Sequence, residues 1–281
     1  MSTSFPKSDL AGLVGSLPPL RALALLAALR FVEESDLRES GVADADLQGF
    51  VRRRLVFRFP LQRKLTDPET TDVFAMSRRG AVELARATGV DARTVPSSTQ
   101  KSCTRTPMFL DHTLGISTFA LALARGLTLP GAPAAFLSWE SDAERLADAV
   151  HVMTEKGYVD RQPLVADGLA IVRGARGPEG LLVEIDRGTE RPGYLGRKYR
   201  GYLEWWQKGG HERRFDVKAI RLLTVAPDAK RAERLREACR EAMGGKQSGL
   251  FWFAAEDALV KDGILAPVWS TLKSENVPLW S

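Results

Sequence analysis

The stretch from Leu181 to Trp206, LLVEIDRGTERPGYLGRKYRGYLEWW, constrains this chain more than any other. Leu181, Leu182 and Val183 form an apolar run of the kind found in buried strands. Glu184 and Asp186 follow, with one residue between them. Side chains alternate faces along a strand, so the two carboxylates point the same way. A turn over Thr189 to Gly193 leads to a helix from Leu195 to Lys208, which brings Lys198 behind the acids. Charge at the end of a buried strand is costly unless it is offset. A divalent metal, a basic partner or solvent can each offset it.

The rest of the chain narrows the choice. At 281 residues it is long enough for two domains, each with its own core. A hydrophobic content of 44% and a charged content of 27% describe a soluble globular protein. The net charge of +5 permits a nucleic-acid partner without demanding one. Cys103 and Cys239 are far apart and suit a reducing compartment, so a cytoplasmic protein is expected. His112, His151 and His211 lack the spacing of a zinc site. The longest apolar run, Ala22 to Ala28, is too short for a bilayer. The opening MSTSFPKSDL lacks the basic-then-apolar order of a signal peptide, and no membrane partner is expected.

The first 90 residues read as three helices, a hairpin and a fourth helix. Pro19 to Val32 is rich in Ala and Leu, with Pro at its start. A short helix follows over Asp36 to Ser40, and a third runs from Asp44 to Arg54. LVFRFP (Leu55 to Pro60) and DVFAM (Asp72 to Met76) read as paired strands around an Asp-Pro turn. Ser77 opens the helix Arg78 to Thr88, which Gly89 ends. This is the order of a winged helix-turn-helix. From Leu47 to Thr66 there is no acid, whereas Arg52, Arg53, Arg54, Arg58, Arg63 and Lys64 fall inside. Such a cluster on the inserted helix and wing would meet the phosphates of double-stranded DNA. A solvated helix end explains the same charges without DNA.

Residues 91–106 are polar and aperiodic and read as a linker, leaving 1–90 as the winged helix-turn-helix domain and 107–281 as a second domain. Phe109 to Leu127 keeps helical spacing. Ala134 to Trp139 is a strand ending at Glu140, and Glu144 to Glu155 is a helix or an insertion. Leu164 to Arg173 is a strand carrying Asp167, joined through Gly174 to Gly180 to the returning strand Leu181 to Arg187. That register sets Asp167 opposite Arg187, within a residue or two, and so beside Asp186 and within reach of Glu184. Three such carboxylates could hold Mg²⁺, which prefers oxygen ligands. A helix with Leu195, Tyr199, Tyr202 or Leu203, and Trp206 inward, a strand at Asp216 to Ala226, a helix at Ala229 to Met243 and a strand at Leu250 to Ala254 complete the order. The Trp205-Trp206 pair and Phe251-Trp252-Phe253 read as core rather than base-stacking platforms. No nucleotide-binding glycine motif sits between a strand and a helix.

That order, with Asp on the second strand and Glu-x-Asp on the third, resembles the PD-(D/E)XK nuclease-like superfamily. The chain more closely resembles the replication-relaxation family. The resemblance rests on MSRRG (Met76 to Gly80), DHTLGI (Asp111 to Ile116), Trp139-Glu140, Asp167-Gly168, the block EIDRGTE (Glu184 to Glu190), and Lys198-Tyr199. It implies an α/β (α+β) protein: an N-terminal winged helix-turn-helix, then a nuclease-like domain with a central mixed sheet. It also implies a DNA-binding protein connected with plasmid replication or DNA relaxation, with protein partners from a plasmid or mobile-element system. The superfamily implies phosphodiester hydrolysis with Mg²⁺ or Mn²⁺, with Asp167 and Glu184 as ligands and Glu140 as an extra one. Asp186 stands where the superfamily usually has Lys, so as a ligand it would join the acids, and Lys198 would supply the cation. Four readings stay open: a metal-dependent endonuclease or nickase, an inactive nuclease-like DNA-binding protein whose acids pair with Arg187, Arg191 and Arg197, a winged-helix transcriptional regulator, and a partner-binding role unrelated to DNA. Dimerisation is common among winged-helix proteins, and a homodimer is among the expectations.

Overall fold

The computed structural model describes residues 12, 20–62, 70–153, 157–188 and 192–280. Of the residues named above, Pro19, Arg63, Lys64, Thr66, Glu155, Thr189, Glu190 and Arg191 lie outside them. The chain forms two compact units, Met1–Arg125 and Gly126–Ser281.

In the first unit the elements run α1 (Arg21–Leu29), β1 (Phe31–Glu33), α2 (Glu34–Glu39), α3 (Asp44–Arg52), β2 (Val56–Leu61), β3 (Thr71–Met76) and α4 (Arg78–Thr88). The strands form an antiparallel sheet in the order β1-β3-β2. The first helix is shorter than its composition predicts. Arg30 adopts a positive φ of 71°, which stops the helix, and Phe31 and Val32 then pair with Ala75 and Phe74. Both side chains are fully buried. The gain from sheet pairing and burial there outweighs the helical tendency of one more turn.

The expected linker is structured. Ala92–Thr94 is a 3₁₀ turn, and α5 spans Gln100–Cys103 behind a capping box at Thr99 and Ser102. Cys103, Leu110 and Leu114 share one core cluster with Phe31, Leu61, Val73 and Ala75. Leu110 and Leu114 belong to α6 (Pro107–Thr128), so most of this helix packs in the first unit and not in the second. Polar side chains fix it there. Thr118 donates to the buried Asp36 carboxylate at 2.7 Å, Arg125 pairs with Asp36 and Glu39, and the Ser117 hydroxyl donates to the Leu29 carbonyl. By length and composition α6 could cross a membrane, but half of its apolar window is buried inside the protein.

The second unit is built on a mixed sheet in the order β11-β10-β9-β8-β7-β4. Its strands are β4 (Ala135–Glu140), β7 (Gly168–Gly174), β8 (Gly177–Ile185), β9 (Ala219–Ala226), β10 (Phe251–Ala255) and β11 (Ser270–Thr271). β8, β9 and β10 are parallel, connected through α8 (Pro192–Gln207) with the short α9 (Gly210–Phe215), and through α10 (Ala229–Ala242). The segment that the sequence left open is a short helix, α7 (Ala143–Leu146), and a separate hairpin of β5 (Asp148–Met153) and β6 (Val159–Leu164) that packs on α8. A short helix, α11 (Glu256–Asp262), follows β10. α8 turns Leu195, Tyr199, Tyr202 and Trp205 into the core with Leu182, Leu222, Leu235, Cys239, Phe251 and Phe253. Trp205 is therefore the buried member of the Trp pair, and its indole N–H donates to Asp148 at 2.7 Å, which ties the hairpin to the helix.

Gly80, in the first turn of α4, sits where a Cβ would come within 2.2 Å of the Leu55 carbonyl oxygen. The close approach lets the N-cap, Ser77, bond the carbonyls of Arg54 and Leu55. We expect Gly80→Ala to destabilise the first unit by about 1–3 kcal/mol through forced backbone movement. Urea unfolding followed by far-ultraviolet circular dichroism measures it, because every tryptophan lies in the second unit, and an unchanged midpoint would contradict this packing.

Candidate functional site

The turn between β7 and β8 is tighter than the glycine-rich sequence predicts. Gly174 pairs with Gly177, and β8 begins there, so Ala175 and Arg176 alone form the turn. Gly177 carries a φ of +102°, which favours glycine. This turn sets the register. Gly168 lies opposite Val183, and the Asp167 amide donates to the Val183 carbonyl at 2.9 Å. Asp167 therefore stands at the start of β7 beside Glu184, not opposite Arg187. Its carboxylate accepts from the Ile185 amide at 2.8 Å.

Glu184 and Asp186 do share a face, as the alternation requires. Leu182, in the same row, belongs to the core under α8 and α10. Both acids are buried, with exposures of 7% and 8%. The Lys198 ammonium lies 2.8 Å from one oxygen of Glu184, and the Tyr202 hydroxyl donates to the other at 2.6 Å. Burial pushes the Glu184 carboxyl up to about 7; Lys198 pulls against that rise, and the charge of Asp167 adds to it. Burial likewise raises the Tyr202 phenol, and it raises that of Tyr199, which is hydrogen-bonded to Thr224.

Asp186 has a different partner from those the sequence suggests. Arg231, in the first turn of α10, grips it with two bonds, Nε to Oδ2 at 2.7 Å and a terminal nitrogen to Oδ1 at 2.9 Å. The Gly188 amide donates to Oδ2 at 3.0 Å. Arg187 pairs with Glu256, and Arg197 is exposed. Arg231 escaped sequence reading because it lies 45 residues beyond Asp186, on a helix whose charges read as a solvated face. The available signal was the bare carboxylate itself, since a buried acid needs a cation from some neighbouring element. Glu140 does not join the cluster: it accepts from the Ser141 and Asp142 amides and pairs with Arg145.

The model of the replication-relaxation family matches residues 22–218. The chain belongs to the replication-relaxation family. No curated protein matches it. The family span takes in Asp167, Glu184, Asp186 and Lys198, and stops short of Arg231.

The acids of this replication-relaxation protein are engaged by protein groups. Both oxygens of Glu184 and both of Asp186 already accept from protein donors. Among the described residues, no group of three or more metal-ligating side chains could hold an ion. What the arrangement does chemically is distribute two buried negative charges over Lys198, Tyr202, Arg231 and the Gly188 amide.

Removing Arg231 leaves Asp186 buried without its cation. We expect Arg231→Ala to cost about 3–5 kcal/mol in denaturant unfolding, far more than alanine at the exposed Arg197. Glu184 adds a pH dependence. Its folded pKa, near 7, lies above the ordinary 4.5, so the folded state holds a proton between those values that the unfolded chain has lost. Stability from this group is complete below about pH 4.5 and is lost as pH rises through 7, a fall of up to about 3 kcal/mol. Comparing the urea midpoint of wild type and Glu184→Gln from pH 5 to 8 tests this: the variant should lose most of the slope, and parallel curves would refute it.

Proposed function

We propose that this chain is a double-stranded-DNA-binding protein of plasmid replication, with a winged helix-turn-helix in front and a nuclease-like core whose acids are structural. The observation that carries the second part is the closed state of Glu184 and Asp186, each bonded on both oxygens by protein groups. The helix-strand-helix-helix-strand-strand order of the first unit, with its β1-β3-β2 sheet, supports the first part. So does the distribution of its charges. Arg52 and Arg54 are exposed at the end of α3 and have no acidic partner among the described residues. Arg53 and Arg58 are less available than the sequence suggests: Arg53 pairs with Glu83, and Arg58 pairs with Asp72 and Glu34. Phosphate contact therefore falls first to Arg52 and Arg54.

Two measurements test the proposal. Duplex binding should weaken steeply with salt, and Arg52→Ala/Arg54→Ala should lower the slope of log K against log salt by about 2. An unchanged slope would remove the two arginines from the interface. Supercoiled plasmid incubated with Mg²⁺ or Mn²⁺ should stay intact with wild type and with Glu184→Ala alike. Nicking by wild type that vanishes in Glu184→Ala would replace the structural core with a metal-dependent endonuclease.

A further inference from the structure

The acids lie at the carboxyl end of β8, whereas a groove of about 690 Å³ opens at the opposite end of the sheet. It is bounded by the Ala175-Arg176 turn, the beginnings of β9 and β10, the end of α8, and the carboxyl-terminal residues to Trp280. Three tryptophans line it, Trp206, Trp252 and Trp280, and each keeps part of its surface in solvent. Its cations are Arg176, Lys218 and Arg221. Arg221 is committed: its guanidinium lies over both Trp252 and Trp280, bonds the Glu179 carboxylate at 2.8 Å and donates to the Leu279 carbonyl. Glu179 also accepts from the Trp280 indole N–H. This network holds the groove's walls and neutralises its one acid. Arg176 and Lys218 are exposed and have no acidic partner among the described residues. The groove therefore carries uncompensated positive charge beside aromatic surface.

We infer that this groove binds single-stranded DNA, with bases against the tryptophans and phosphates at Arg176 and Lys218. Aromatic surface flanked by unpaired cations is the composition that sequence-tolerant single-strand sites use, because every base offers a flat face while the backbone offers a regular row of charge. A purely anionic ligand would use the cations and leave the indoles untouched. The site is independent of the duplex contacts assigned to Arg52 and Arg54, so the two can fail separately.

The test uses the full chain and a short fluorescein-labelled oligo(dT), with a random duplex in parallel. Oligo(dT) should quench intrinsic tryptophan fluorescence. The surface variant Arg176→Glu/Lys218→Glu should weaken oligo(dT) binding by about tenfold or more while duplex affinity is retained. Trp280→Ala, read in the same way, should weaken oligo(dT) binding and not duplex binding. Three results would overturn the inference: oligo(dT) affinity unchanged in the charge variant, duplex and single-strand affinities falling in parallel, or displacement by polyglutamate as readily as by unlabelled oligo(dT).

Discussion

The second unit depends on the burial of negative charge under α8 and α10. A carboxylate removed from water is unfavourable by several kcal/mol unless cations and hydrogen-bond donors replace the solvent. Glu184 and Asp186 solve this in different ways. Glu184 takes one ammonium and one phenol from α8, and is left poised near neutrality. Asp186 takes a two-pronged guanidinium from α10 and a backbone amide, the geometry in which an arginine is most effective. Each helix that crosses from one parallel strand to the next thus contributes one cation to the end of β8. The ion pairs thereby link the two crossovers to the same strand.

This closure bears on the proposal of a nuclease-like core. The residue types that a metal-dependent hydrolase needs are present, but their oxygens are spent on protein donors. Family membership and residue identity leave cleavage open; the hydrogen bonds around the carboxylates underlie the proposal that these acids are structural.

Much of this was legible in the residues. The alternation along Leu182, Glu184 and Asp186 gave the shared face, and the helix spacing gave the approach of Lys198. Other features needed three dimensions. Register could not be read because Gly174 to Gly180 looks like one loop, while the chain turns within Ala175 and Arg176 and spends the remaining glycines in β8. Arg231 is a long-range partner with no local signature. β1 was hidden inside a helical composition, since its three residues are a strand only because β3 offers them an edge. The segment at 91–106 looked like a linker because it is polar, but Cys103 and the neighbouring start of α6 anchor it in the first core.

The tight turn at Ala175 and Arg176 has a consequence at a distance. β8 runs nine residues from Gly177 to Ile185, so the turn lies roughly 30 Å from the acids at its far end. Strand pairing is all-or-none in parity: sliding β8 by one residue against β7 would turn Glu184 and Asp186 away from α8 and α10, while sliding it by two would keep their face and part Glu184 from Asp167. Changes in chain length at this outlying hairpin are therefore filtered by the charge state of a site they never touch. Among relatives that keep the acids, loop length at this position should vary less than its surface exposure alone would allow.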